Sequence, residues 1–139
     1  MTFASGPGFG LQLVLLALAA YHLCIGTVSA LSGGATAVAV RKLYGLHLAD
    51  SPAFRYATKM LGLYGLVLGG LLANAAVNPP GHRDLIVAVI VLQSLRASFR
   101  VLHRDLLAEA FDVTRRDNLM AVTFLLVEIA LLVVWFPKL

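Results

Sequence analysis

Hydrophobic residues run through this chain in four long stretches, at about 10–31, 57–77, 84–104 and 118–136, separated by polar connections. Each reaches the roughly 20 apolar residues a helix needs to cross about 30 Å of hydrocarbon at about 1.5 Å per residue. None alternates apolar and polar positions with period two, so a transmembrane β-barrel is excluded. The pattern predicts an all-α fold, an integral membrane four-helix bundle making one transmembrane domain over residues 1–139. A short interfacial segment is expected between helices one and two. There, residues 35–47 are apolar and carry Arg41 and Lys42, placed to meet lipid headgroups. Ser32-Gly33-Gly34 is expected to end helix one, because paired glycines disfavour helix. Asp50-Ser51-Pro52 predicts a turn into helix two, and Asn78-Pro79-Pro80-Gly81 a tight stop before helix three. Residues 105–112 predict a helical extension of helix three beyond the bilayer, and Thr114 with Asp117 a cap for helix four.

Composition agrees with this pattern. The 139 residues are 60% hydrophobic and 13% charged, whereas soluble domains carry about 25% charged residues. The net charge is +4, but the basic residues gather at the ends of the apolar stretches rather than on one continuous face, so no nucleic-acid partner is expected. Arg41, Lys42, Arg55 and Lys59 flank the first connection, and Arg104, Arg115 and Arg116 the third; the other side has Arg83 and Lys138. That bias predicts the first and third connections in the cytoplasm and both termini on the non-cytoplasmic side. No Lys or Arg precedes the first stretch, so it reads as a retained helix although Val28-Ser29-Ala30 resembles a cleavage site. The single cysteine, Cys24, is expected to be a small buried apolar residue.

Polar residues inside the stretches carry the chemical interest. Arg96 and Glu128 lie on consecutive helices, each roughly 12–15 Å below the cytoplasmic helix end at about 1.5 Å per residue. A charge at such depth costs about 3 kcal/mol or more, so it faces a partner, a ligand or water. Gln93 and His22 fall in the same layer. Two readings stay open here: a static ion pair that fixes helix register, or a ligand or proton site. On helix three, Gln93, Arg96, Arg100, His103 and Arg104 share an arc of roughly 100°, a polar stripe from the inner surface to mid-membrane. Arg100, His103 and Arg104 lie close enough to the interface to snorkel, and Arg104 joins Arg41 and Lys42 as a headgroup candidate. His22, Gly26 and Ser29 make a smaller echo on helix one.

The four histidines, His22, His47, His82 and His103, are spread over different depths, which disfavours bis-histidine haem. His22 with Glu128 offers two ligands where zinc takes three or four, so no metal is expected. No cofactor is expected, with quinone or a bound lipid as the alternative occupant of the polar cluster. Gly62, Gly65, Gly69 and Gly70 give helix two a small-residue face for helix packing or subunit association. Trp135 and Phe136 read as an outer aromatic anchor.

The layout resembles the DoxX-like group of small bacterial four-helix membrane proteins. The resemblance rests on the helix count, on the long first connection with Leu43-Tyr44-Gly45 and on Arg55-Tyr56 leading into the glycine-rich helix. Arg96 in helix three and Glu128 in helix four complete it. It implies a bacterial plasma-membrane protein and an accessory subunit, DoxX itself being associated with a quinone-linked sulfur-oxidising complex; it assigns no catalytic residue. The leading expectation is therefore a non-catalytic accessory or structural subunit of a larger membrane complex, in contact with membrane lipid and with other membrane subunits or copies of itself. The alternative is a membrane-embedded binding site for quinone or anionic lipid at His22, Gln93, Arg96, Arg100 and Glu128, or a redox-enzyme subunit in which Tyr21, His22 and Glu128 assist proton transfer. A transporter is disfavoured, since four helices leave little room for alternating access without oligomerising.

Overall fold

The computed structural model describes residues 9–44 and 51–136. His47 and Lys138 lie outside the described residues, as does the expected run of helix to position 47. The elements are α1 (Phe9–Leu31), α2 (Gly33–Tyr44), α3 (Pro52–Val77), a 3-10 turn (Pro79–His82), α4 (Arg83–Leu102), α5 (Arg104–Phe111) and α6 (Arg115–Trp135). No strand occurs among the described residues. Four helices are long and apolar enough to cross a membrane: α1, α3, α4 with its preceding turn, and α6. The chain is an all-α bundle and an integral membrane protein.

Local chemistry explains where the helices start and stop. Ser51 accepts a hydrogen bond from the Phe54 amide (3.1 Å) with Pro52 in the first turn, so α3 begins several residues before the apolar stretch itself. Thr114 Oγ1 accepts from the Asp117 amide (3.1 Å) and starts α6 as its spacing predicts. The extension after helix three is a separate helix, because the backbone breaks at His103. Asp112 closes α5 in a left-handed conformation (φ 52°), which a short polar side chain tolerates. Between α3 and α4, Asn74 and the Asn78 carbonyl hold the His82 ring at 3.0 and 2.9 Å.

The glycine pair after helix one behaves differently from expectation. Gly33 and Gly34 do not end α1; they open α2, and the interruption is Ser32 alone. Ser32 Oγ accepts from the Ala35 amide (3.2 Å), capping α2. Thr36, buried, donates to the Ser32 carbonyl at 2.7 Å and reaches the Val28 carbonyl at 3.2 Å, stitching α2 back onto α1. A side-chain cap and a back-bonding threonine thus outweigh the helix-breaking tendency of glycine.

Packing is uneven around the bundle. α1 runs closely against α3, α4 pairs with α6, and α3 with α4 make few contacts beyond their turn. The α1–α3 approach depends on glycine at two facing positions. A Cβ on Gly26 would lie 2.8 Å from the Leu66 amide nitrogen, and one on Gly62 would lie 2.6 Å from that of Ala30. Gly65 and Gly69 extend the same seam, whereas Gly70, grouped with them by sequence, has nothing within 4 Å of its Cβ position and faces outward. The dry core occupies one end of the bundle. There Leu11, Leu15, Leu72, Ile86 and Leu132 are fully buried. Trp135 and Phe136, half-buried, pack onto this core, and the Trp135 ring covers Gly10. Cys24, expected inside, is exposed on the outer face of α1.

The seam gives a direct test. Gly62→Ala forces backbone apart and should lower stability by about 1–3 kcal/mol, while Gly70→Ala should be neutral or stabilising by about 0.5–1 kcal/mol. Thermal unfolding of the detergent-solubilised variants reads both; equal effects at the two positions would contradict the packing described.

Candidate functional site

Below the dry core the bundle becomes polar. Gln93 of α4, 1% exposed, is the centre of this layer. Its amide nitrogen donates to Oε2 of Glu128 on α6, and its amide oxygen accepts from Arg96 Nη1 at 2.9 Å. Arg96 and Glu128 therefore do not form the direct ion pair weighed from sequence. A neutral amide stands between them and satisfies one group on each. Burial accounts for this arrangement: Gln93 points into the bundle toward α6, while Arg96, three residues on and half-buried, lies within reach of its amide oxygen.

Arg96 turns its remaining surface elsewhere. Its side chain lines a cavity of about 450 Å³ bounded by α1, α2, α3 and α4. This space exists because α3 and α4 diverge, and Leu61, Tyr64 and Leu92 at its walls are exposed on the bundle surface. His22 lines the same cavity. Its ring meets Tyr21 edge-on, with centroids 5.2 Å apart at 72°, and its Nε2 is buried without a hydrogen bond. Among the described residues it is the one fully enclosed side-chain nitrogen or oxygen without a partner. Thr36 and Thr58 also line the cavity, but their hydroxyl protons are committed to backbone carbonyls of their own surroundings. The uncommitted polar groups here are Arg96, which has four further N–H groups, the Ser29 hydroxyl, the His22 ring and the tyrosines.

Of the residues singled out by sequence, Gln93, Arg96 and Glu128 form one chain of contacts, and His22 shares the cavity with Arg96. Arg100 stands apart. Its Nη1 donates to Asn118 Oδ1 (3.1 Å) while Asn118 Nδ2 donates to the Arg100 carbonyl (3.2 Å), a clasp between α4 and the start of α6. Arg41 and Lys42 are exposed at the end of α2, and Arg104 pairs with Asp105 at 3.2 Å on the surface. Sequence reasoning missed Thr36, Thr58 and Tyr64, because α2 and α3 were read as headgroup segment and packing helix. The signal available was the hydroxyl residue in each otherwise apolar run. Among the described residues no three His, Cys, Asp or Glu side chains gather as a metal site.

Replacing Gln93 tests the bridge. Gln93→Leu strands a half-buried guanidinium and a buried carboxylate and should cost about 1–3 kcal/mol, whereas Gln93→Leu/Arg96→Met/Glu128→Leu together should recover wild-type stability or exceed it. Thermal unfolding in detergent measures both; a harmless single change would contradict the bridge. Comparison of the chain with protein-family models, with curated proteins and with solved structures gave no match.

Proposed function

We propose that this protein is a membrane-embedded binding protein for an amphipathic molecule whose head accepts hydrogen bonds, of the quinone or anionic-lipid kind. The observation that carries this reading is Arg96: one hydrogen bond to Gln93, and the rest of the guanidinium beside a cavity of about 450 Å³. Cavities of roughly 300–1,000 Å³ with few polar groups in an apolar lining suit small ligands. The gap between α3 and α4 lets such a molecule enter sideways from the bilayer, tail along Leu61 and Leu92, head toward Arg96. In this layer an accepting head gains more from Arg96 than it would in water, because little solvent competes. His22 adds a second polar contact whose role, donor or acceptor, follows its tautomer.

A role as accessory subunit has its own support. α5 has no buried residue and leaves Leu106 and Phe111 exposed, so a partner or the membrane surface has an apolar edge to cover. On this proposal the DoxX-like kinship and the bacterial plasma membrane remain grounded in the features of sequence that suggested them. The two readings are compatible, since a subunit can present a bound quinone or lipid to its complex.

The test is extraction of retained small molecules from gently purified protein. Wild type should carry a quinone or anionic lipid near one per chain, and Arg96→Gln should reduce that occupancy about tenfold (about 1.4 kcal/mol) without loss of helicity. Equal retention in both would contradict the proposal.

A further inference from the structure

A second cavity, of about 330 Å³, lies between α1 and α6. Its walls are Leu13, Val14, Leu18, Phe124 and similar apolar side chains, and its two polar contributors are Tyr21 and Glu128. Glu128 is 5% exposed. Gln93 occupies Oε2; among the described residues Oε1 makes no hydrogen bond, and it is not fully enclosed, Glu128 lining this cavity. A carboxylate offers about four acceptor positions, and a buried one with a single neutral donor is far from satisfied. Had Arg96 bridged Glu128 directly, its charge would be answered at the site; the interposed Gln93 amide leaves much of it open.

We propose that this cavity is a second binding site, taking a hydrophobic ammonium ion that donates an N–H to Glu128 Oε1. The chemistry selects this class. A neutral apolar molecule would fill the space and leave Oε1 unpaired. An anion would meet a carboxylate in a low-dielectric wall. A hard metal ion needs several oxygen ligands, and here only one acidic side chain is present. An alkylammonium ion satisfies both features: its chain matches the leucine and valine lining, and its head matches the carboxylate. Tyr21 and Phe124, with ring centroids 6.3 Å apart and tilted by 55°, add aromatic surface of the kind that attracts cations. The opposing charge is Arg96, on the far side of the Gln93 amide and turned to the other cavity. This site does not depend on the ligand proposed for the Arg96 cavity, since that cavity is bounded by α1, α2, α3 and α4, this one by α1 and α6, and the two share only Tyr21.

Equilibrium binding of radiolabelled octylammonium to the full chain in phosphatidylcholine nanodiscs, corrected for empty nanodiscs, tests the site, with octanol as neutral competitor. Saturable binding at one per chain is expected, weakened at least tenfold in Glu128→Gln and in Ala17→Phe, which fills the cavity and leaves the carboxylate in place. Octanol should displace the amine poorly. Unchanged affinity in a folded Glu128→Gln protein, or equal competition by octanol, would overturn the proposal. Should Glu128→Gln fail to fold, Ala17→Phe decides alone: loss of binding supports the site and wild-type affinity removes it.

Discussion

Two opposite charges held in one hydrocarbon layer and kept apart by a single amide set the character of this molecule. Buried ion pairs reduce their desolvation cost by direct contact. Here Gln93 intervenes, donating to Glu128 and accepting from Arg96. Each charge is stabilised by a fixed dipole, and each retains unused hydrogen-bonding capacity. The amide thereby leaves the layer less self-contained than a direct ion pair would. It also gives the layer direction, because Arg96 faces the α1–α4 cavity and Glu128 the α1–α6 cavity.

The shape around this layer follows from glycine. With Gly26 set against Gly62, α1 and α3 approach until backbone touches backbone. Nothing comparable draws α3 toward α4, whose leucines and tyrosine stay exposed along the divide. Close packing on one side therefore opens a gap on the other, and the gap falls at the depth of Arg96. In lipid, where apolar burial gives little drive for helix association, such steric fit decides which helices meet. The dry core of Leu11, Leu15, Leu72 and Ile86 then seals the far end.

Much of this was legible in the sequence. The four spans, the cap at Thr114, the glycine seam and the shared depth of Gln93, Arg96 and Glu128 all follow from spacing, because helix periodicity fixes depth and face. What spacing cannot give is which of several polar groups in a layer meets which. Gln93 reads as one member of the polar layer, not as its bridge, until α6 is placed beside it, and Arg100 reads as part of the stripe until Asn118 is seen to take it. Ser32 and Gly33 show the same limit at shorter range. Glycine pairs suggest an end, but the serine cap and the Thr36 back-bond decide the matter through side-chain geometry. Cavities are further removed still, since they record where helices diverge. Trp135 lying over Gly10 belongs to the same class: the ring fills a cleft that only glycine leaves open.

The most direct measurement is a high-resolution experimental structure of the protein in native-lipid nanodiscs. Density for a head against Arg96, with a tail leaving between α3 and α4 and Gln93 still bridging to Glu128, is the predicted result. A closed α3–α4 gap with Arg96 in direct contact with Glu128 would contradict it.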